Sequence, residues 1–146
     1  MTEIEPALAI ETIVPIRWSD MDAYGHINHV VYLTYLEEAR DAALTQILAT
    51  APGETGYAVA HLAIDYRHEM RHTDGPAIVA CQVTTLGRAS IQTRETIRGA
   101  NGALMTESKA VIVKFDRETR QSEPWNEAER KAFLRAGAVP RSRTEG

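Results

Sequence analysis

Ten consecutive residues, "DMDAYGHINH" at positions 20–29, crowd two carboxylates, two imidazoles, a carboxamide and a glycine into one connection. A plain turn needs none of these in such density, so the stretch points to chemistry. A carboxylate here, such as Asp22, can take a proton from water or attack an electrophilic carbon directly, although Asp before a helix is more commonly a turn or capping residue. The residues that follow read as a helix, and the first turn of a helix offers backbone N–H groups without partners, at the positive end of its dipole. A carboxylate set opposite such amides suits attack on an activated carbonyl, because the amides stabilise the charge that develops on oxygen. The amides of residues 25–28 are the natural donors, and Gly25 lets the backbone approach a substrate closely. Read from the residues alone, Asp20 and Asp22 share that turn or capping alternative.

Two elements must hold this loop. Upstream, "AIETIVPIRW" (9–18) puts Ile10, Thr12, Val14, Ile16 and Trp18 on one face at period two, which predicts a strand. Pro15 points to an edge position or a bulge in it. Downstream, Tyr32, Leu36, Ala39, Ala43 and Ile47 recur at helical spacing, opposite Thr34, Glu37, Glu38, Asp41 and Thr45. That predicts an amphipathic helix of about five turns, capped by Asn28 or His29 and ended by Pro52 and Gly53. Arg40, beside the apolar face, reads as a structural ion-pair partner.

Four strand-like runs follow, "YAVAHLAIDYRHE", "AIVACQVTTLG", "SIQTRETIRG" and "ALMTESKAVIVKFD", separated by short turns at 73–76, 87–89 and 99–102. Short turns predict antiparallel neighbours, hence a four-strand meander. One strand, one long central helix and a meander make an α+β domain in which a curved, five-stranded antiparallel sheet wraps the helix. "NEAERKAFLRAGA" predicts a short surface helix, and residues 139–146 should fray. The 146 residues are expected to form a single domain with its core at about 10–115 and a tail at 116–146.

Composition removes whole classes of function. A net charge of -4 with scattered Lys and Arg argues against nucleic-acid or membrane-surface binding. The single cysteine, Cys81, allows neither an intrachain disulfide nor a Cys-rich zinc site and fits a reducing cytoplasm. No apolar run is long enough to span a bilayer, and the acidic start "MTEIEPALAIE" lacks the basic region of a signal peptide. A cytoplasmic, unprocessed protein is expected.

With these residues in place, "RWSDMDAYGHINHVVYLTYLEEAR" resembles the signature of the hotdog-fold acyl-CoA thioesterases of the 4-hydroxybenzoyl-CoA thioesterase type: an aromatic, D-x-D, a gap, G-H-[VI]-N-N, then Tyr and a helix containing Glu, Ala and Arg. "IDYRHEM" is similar to the Y-R-x-E segment of acyl-carrier-protein thioesterases in the same superfamily. The resemblance covers residues 10–115. It implies that Asp22 is the catalytic carboxylate, with His26 and Glu69 as further catalytic groups, and that Tyr24, Gly25, Ile27, Asn28, His29 and Tyr32 contact the substrate. His29 stands where many members have a second asparagine, which leaves open whether His26 or His29 faces the substrate. The resemblance further implies acyl-CoA or acyl carrier protein as substrate, no cofactor or metal, and a homodimer or homotetramer with the site between protomers, where Glu69 serves the neighbouring site. A thioester fits the loop: its carbonyl is weakly stabilised by resonance and its thiolate leaves easily, so a carboxylate suffices as catalyst.

Other readings compete. "HEMRH" (68–72) matches the H-E-x-x-H zinc-protease pattern, but that motif works on a helix, and here a period-two run precedes it and "TDGP" cuts it off. A hotdog enoyl-thioester hydratase would need an Asn-Pro and a different Asp–His spacing. A noncatalytic acyl-ligand-binding protein would keep the loop as scaffold alone. For the phosphates of CoA, the "LGRAS" turn offers Arg88 as a planar fork and Ser90 as a hydroxyl donor, while Arg94, Arg98 and Lys109 read as solvated surface charges.

Overall fold

The computed structural model describes residues 4–51 and 53–142. In chain order its elements are β1 (Ile10–Val14), α1 (Val31–Leu48), β2 (Tyr57–Tyr66), β3 (Ala77–Leu86), β4 (Ser90–Arg98), β5 (Leu104–Lys114), α2 (Glu127–Arg135) and β6 (Val139–Pro140). The sheet runs β1-β3-β4-β5-β2 with antiparallel neighbours throughout, and β6 adds a sixth, parallel strand against the end of β3. It curves around α1, which is the hotdog arrangement. Among the described residues no helix is long and apolar enough to cross a membrane.

Several boundaries differ from the sequence reading for local reasons. Pro15 has no N–H to extend a ladder, so β1 stops at Val14. Val14 and Ile16 are buried as their spacing predicts, but Trp18 begins a 3-10 turn and stands 74% exposed. Helix α1 buries Tyr32, Leu36, Ala39 and Ala43, joined by Tyr35 and Leu44. It ends at Leu48, because Ala49 turns left-handed at φ 53° and its N–H closes onto the Thr45 carbonyl. Gly53 therefore lies beyond the helix end, and Pro52 lies outside the described residues.

The four-strand meander is a three-strand meander. Strand β2 ends at Tyr66 rather than residue 69, which lengthens the link to β3 to residues 67–76. A connection of that length can cross the end of the sheet, so β2 pairs with β5 at the far side and β3 with β1. Among the described residues no strand pairs with the other edge of β2.

Two apolar clusters fill the space between sheet and helix. The first gathers Val14, Ile27, Tyr32, Tyr35, Leu36, Met70, Val79, Ile97 and Met105 at the end where residues 20–29 lie. The second gathers Leu44, Val83, Leu86, Ile91, Ile112, Trp125 and Phe133 at the other. Helix α2 is thus more than a surface helix: Phe133 is fully buried and its ring meets that of Trp125 at 4.8 Å. The tail is also ordered further than expected, since Val139 and Pro140 pair with Thr85 and Leu86 and the Arg141 amide donates to the Leu86 carbonyl. Residues 143–146 lie outside the described residues.

Between the clusters sits a polar layer. Arg40 of α1 makes a two-pronged ion pair with Glu95 of β4, both contacts at 2.8 Å, and the hydroxyls of Thr93 and Ser108 donate to the same carboxylate. The ion-pair role expected for Arg40 is met by a partner deep in the core.

Candidate active site

Asp20 is the post on which the loop is built. It is 3% exposed and accepts hydrogen bonds from the Tyr35 hydroxyl at 2.7 Å, the Arg17 amide at 3.0 Å and the Arg17 guanidinium at 2.8 Å. Burial alone would push its carboxyl up, but those bonds outweigh it and hold it below the usual carboxylate range. Its backbone carbonyl accepts the Asn28 amide, and the Asp22 amide donates to the His26 carbonyl, so residues 21 and 27 face each other as a bridge. The loop is a short hairpin whose base is pinned to α1 through Tyr35.

Within it, Asp22 Oδ1 accepts the Tyr24 amide at 2.9 Å, and Oδ2 lies 3.3 Å from His26 Nδ1. The Asp22 side chain is 20% exposed. Tyr24 stands out in solvent and its ring stacks on that of His26 at 6.1 Å. Gly25 has φ +83°, and a Cβ on it would meet nothing within 4 Å. Backbone conformation, rather than crowding, is what demands glycine within the protomer.

Helix α1 starts without a side-chain cap. Its first flanking residue is Val30, in helical conformation, and neither Asn28 nor His29 caps it. Asn28 instead closes the turn before the helix: its Oδ1 accepts the Val30 amide at 3.1 Å and its carbonyl accepts the Val31 amide. The amides expected to stabilise an oxyanion are mostly committed, Gly25 to the Asp22 carbonyl, Ile27 to the Met70 carbonyl and Asn28 to the Asp20 carbonyl. The amides of His26, His29 and Tyr32 carry no hydrogen bond among the described residues.

Those three residues line one cavity of about 300 Å³, closed by Ile27, Tyr66, Arg67, His68 and Glu69. Tyr66 crosses Tyr32 edge to face at 5.1 Å and His29 at 6.5 Å. Burial, only partly offset by a hydrogen bond with the Met70 backbone, pushes Tyr32 up to about 12. The loop and the end of β2 thus bring His26, Ile27, His29, Tyr32 and Glu69 together, and Asp22 reaches the cavity through His26. Glu69 lines its own protomer's cavity and its carboxylate binds Arg71 at 2.8 Å. Tyr66 escaped the sequence reading, although its place in "IDYRHEM" at the end of a period-two run was the available signal.

The "HEMRH" residues are not helical: 67–71 are irregular and His72 opens a 3-10 turn. Among the described residues no three His, Cys, Asp or Glu side chains converge as a metal site. Arg88 and Ser90 are not part of the cavity. They lie at the β3–β4 turn, the opposite end of strands that span roughly 30 Å. There Arg88 shares a depression of about 450 Å³ with Arg130, Arg141 and Ser142. Arg130 donates to the Gly87 carbonyl, and no carboxylate pairs with any of the three arginines among the described residues. Ser90 folds against Gly87 and does not line the depression.

Solved structures resemble the whole of this architecture. A thioesterase from Thermus thermophilus, complexed with coenzyme A and Zn, is 26% identical, with 86% of this chain and 92% of that one covered and a TM-score of 0.76. DHNA-CoA thioesterase from Staphylococcus aureus is 18% identical, covers 87% and 89%, and has a TM-score of 0.77. A 1,4-dihydroxy-2-naphthoyl-CoA thioesterase from Synechocystis is 16% identical, covers 86% and 94%, and has a TM-score of 0.68. At those identities the last two bear on the fold alone. Comparison with the curated proteins gives no match. Residues 16–133, from the end of the first strand to the buried phenylalanine of α2, match the thioesterase-like superfamily, and to that family the chain belongs.

Proposed function

We propose that the protein hydrolyses acyl-CoA thioesters to free acid and CoA, with the Asp22 carboxylate as nucleophile or general base. One observation carries the reading: a carboxylate tied to His26 lies beside a cavity whose wall presents uncommitted amides at a helix N-terminus. The thioester carbonyl accepts from the His29 amide, supported by that of Tyr32. Asp22 attacks the acyl carbon to give a mixed anhydride that water then cleaves, or removes a proton from a water that itself attacks the carbon. The C–S bond breaks, the thiolate leaves with a proton, and the acid retains an oxygen from water. His26 holds Asp22 Oδ2 and lines the approach, and Glu69 is an auxiliary carboxylate at the rim. No step calls for a metal or cofactor.

The edge of β2 left unpaired among the described residues supports a homodimer. It is ten residues long, carries exposed Val59 and Tyr66, and borders a groove of about 740 Å³ between α1 and β2 that Leu33 also lines. Two-fold pairing of β2 with its copy reverses the strands, so each protomer's arginine depression comes to the end of the assembly where its partner's catalytic loop lies. We therefore assign Arg88, joined by Arg130 and Arg141, to the CoA phosphates of the partner's site; the single cysteine, Cys81, free and buried, favours a reducing cytoplasm as the compartment. Arg88→Ala is expected to raise KM for acyl-CoA several-fold with kcat little changed, less so at high salt, as an exposed phosphate contact requires. An equal change with a truncated acyl-pantetheine thioester would remove Arg88 from the nucleotide site.

A panel of aliphatic and aromatic acyl-CoAs, followed by thiol release, tests the activity. Acid and CoA should appear in equal amounts. Loss of enoyl conjugation without thiol release would identify a hydratase instead, and tight binding without turnover a ligand-binding protein.

A further inference from the structure

We infer that Tyr66 is a positioning residue that aims the His29 amide at the substrate carbonyl. This rests on the thioester-hydrolysis reading of the site and adds a group that neither the loop motif nor the helix supplies. The hydroxyl of Tyr66 donates to the His29 carbonyl at 2.7 Å. Around that contact the backbone is held on every side. The Asn28 amide is bound by Asp20, the Asn28 carbonyl by the Val31 amide, and the Val30 amide by Asn28 Oδ1. Within residues 28–31 the His29 N–H is the backbone donor left free among the described residues.

That N–H lies in the Asn28–His29 peptide plane, which the Val31 amide tethers through the Asn28 carbonyl. No side chain caps α1, and Val30 is already helical. The next plane, His29–Val30, carries the shorter of its two tethers at the His29 carbonyl, where Tyr66 binds it, so Tyr66 braces the far side of the turn that presents the N–H. Tyr66 is itself held. It closes β2 opposite Thr106, the next two amides, of Arg67 and His68, both donate to the Met105 carbonyl, and its ring packs on buried Tyr32. Burial raises its phenol, so it remains a protonated donor through neutral pH. The last residue of the edge strand thus braces the turn that carries the oxyanion amide, and a strand displaced at that edge would loosen its aim.

Tyr66→Phe removes the hydroxyl and keeps the ring on Tyr32, so it tests aim without dismantling packing. The measurements are hydrolysis of the best acyl-CoA, thermal midpoint, and affinity for two unreactive ligands: an S-alkyl CoA, which has no thioester carbonyl, and a trifluoromethylketone analogue of acyl-CoA, whose hydrate imitates the oxyanion. The expected result is a kcat lower by about 10-fold, with KM within about two-fold of the wild type. Affinity for the trifluoromethylketone should fall by a similar factor, with S-alkyl CoA affinity and thermal midpoint unchanged. A kcat within two-fold of the wild type, or a parallel fall of kcat, both affinities and thermal midpoint, would overturn the inference. A wild-type protein that hydrolyses no acyl-CoA overturns the site reading and this inference with it. A wild type that turns over beside an equally active Tyr66→Phe overturns this inference alone.

Discussion

Glu95→Ala is expected to lower the free energy of unfolding by about 3–5 kcal/mol, a large share of what a domain of this size possesses. The Arg40 and Glu95 side chains are 5% and 1% exposed. Truncating Glu95 leaves a buried guanidinium without its carboxylate and strips two hydroxyls, Thr93 and Ser108, of a shared acceptor. Attraction within the pair is roughly matched by the desolvation of both charges, so most of the loss is the penalty of the abandoned arginine. The double variant Arg40→Met, Glu95→Leu should therefore recover most of the stability, which urea unfolding of the single and double variants checks. A single variant within about 1 kcal/mol of the parent would contradict burial of the pair. The same surroundings make Cys81 inert: burial first, and Glu95 second, push its thiol far above the ordinary range.

Asp22→Asn is expected to lower kcat by about 10²-fold or more while KM stays within a few-fold, because it removes the attacking or proton-accepting group and little ground-state binding. Asparagine is the informative replacement. Its Oδ1 can still accept the Tyr24 amide, so the turn persists, while the negative charge beside His26 is lost. The far-ultraviolet spectrum and thermal midpoint should match the parent. A folded Asp22→Asn that keeps more than about a tenth of the parental kcat would transfer the role to another carboxylate, with Glu69 on the cavity wall next in line.

Much of this architecture was legible in the sequence because hydrophobic period survives any topology. Tyr32, Leu36, Ala39 and Ala43 could be assigned to a buried helix face from spacing alone, and the centres of all five main strands could be located. What spacing does not carry is which strands meet. Three residues, 67–69, read as strand but lying in a crossing loop, decide whether β2 neighbours β3 or β5. Nor can spacing reveal hydrogen-bond commitments. Gly25, Ile27 and Asn28 were plausible oxyanion donors until Asp22, Met70 and Asp20 proved to occupy them, which leaves His26 of that set and adds His29 and Tyr32, among the described residues. Glu95 stands in a run of polar and β-branched residues, "TRET", where nothing separates a buried carboxylate from a solvated one. The grouping of Arg88 with Arg130 and Arg141 likewise depends on α2 and β6 folding back along β3.

The central claim is that Asp22 and the His29 amide address the same thioester carbonyl. Asp22→Asn should bind acyl-CoA and turn it over slowly, so a crystal structure of that complex tests the claim directly. The carbonyl oxygen is expected at about 3 Å from the His29 amide nitrogen, with the acyl carbon facing residue 22. A well-defined thioester whose carbonyl touches neither group, lying for instance in the groove between α1 and β2, would contradict it.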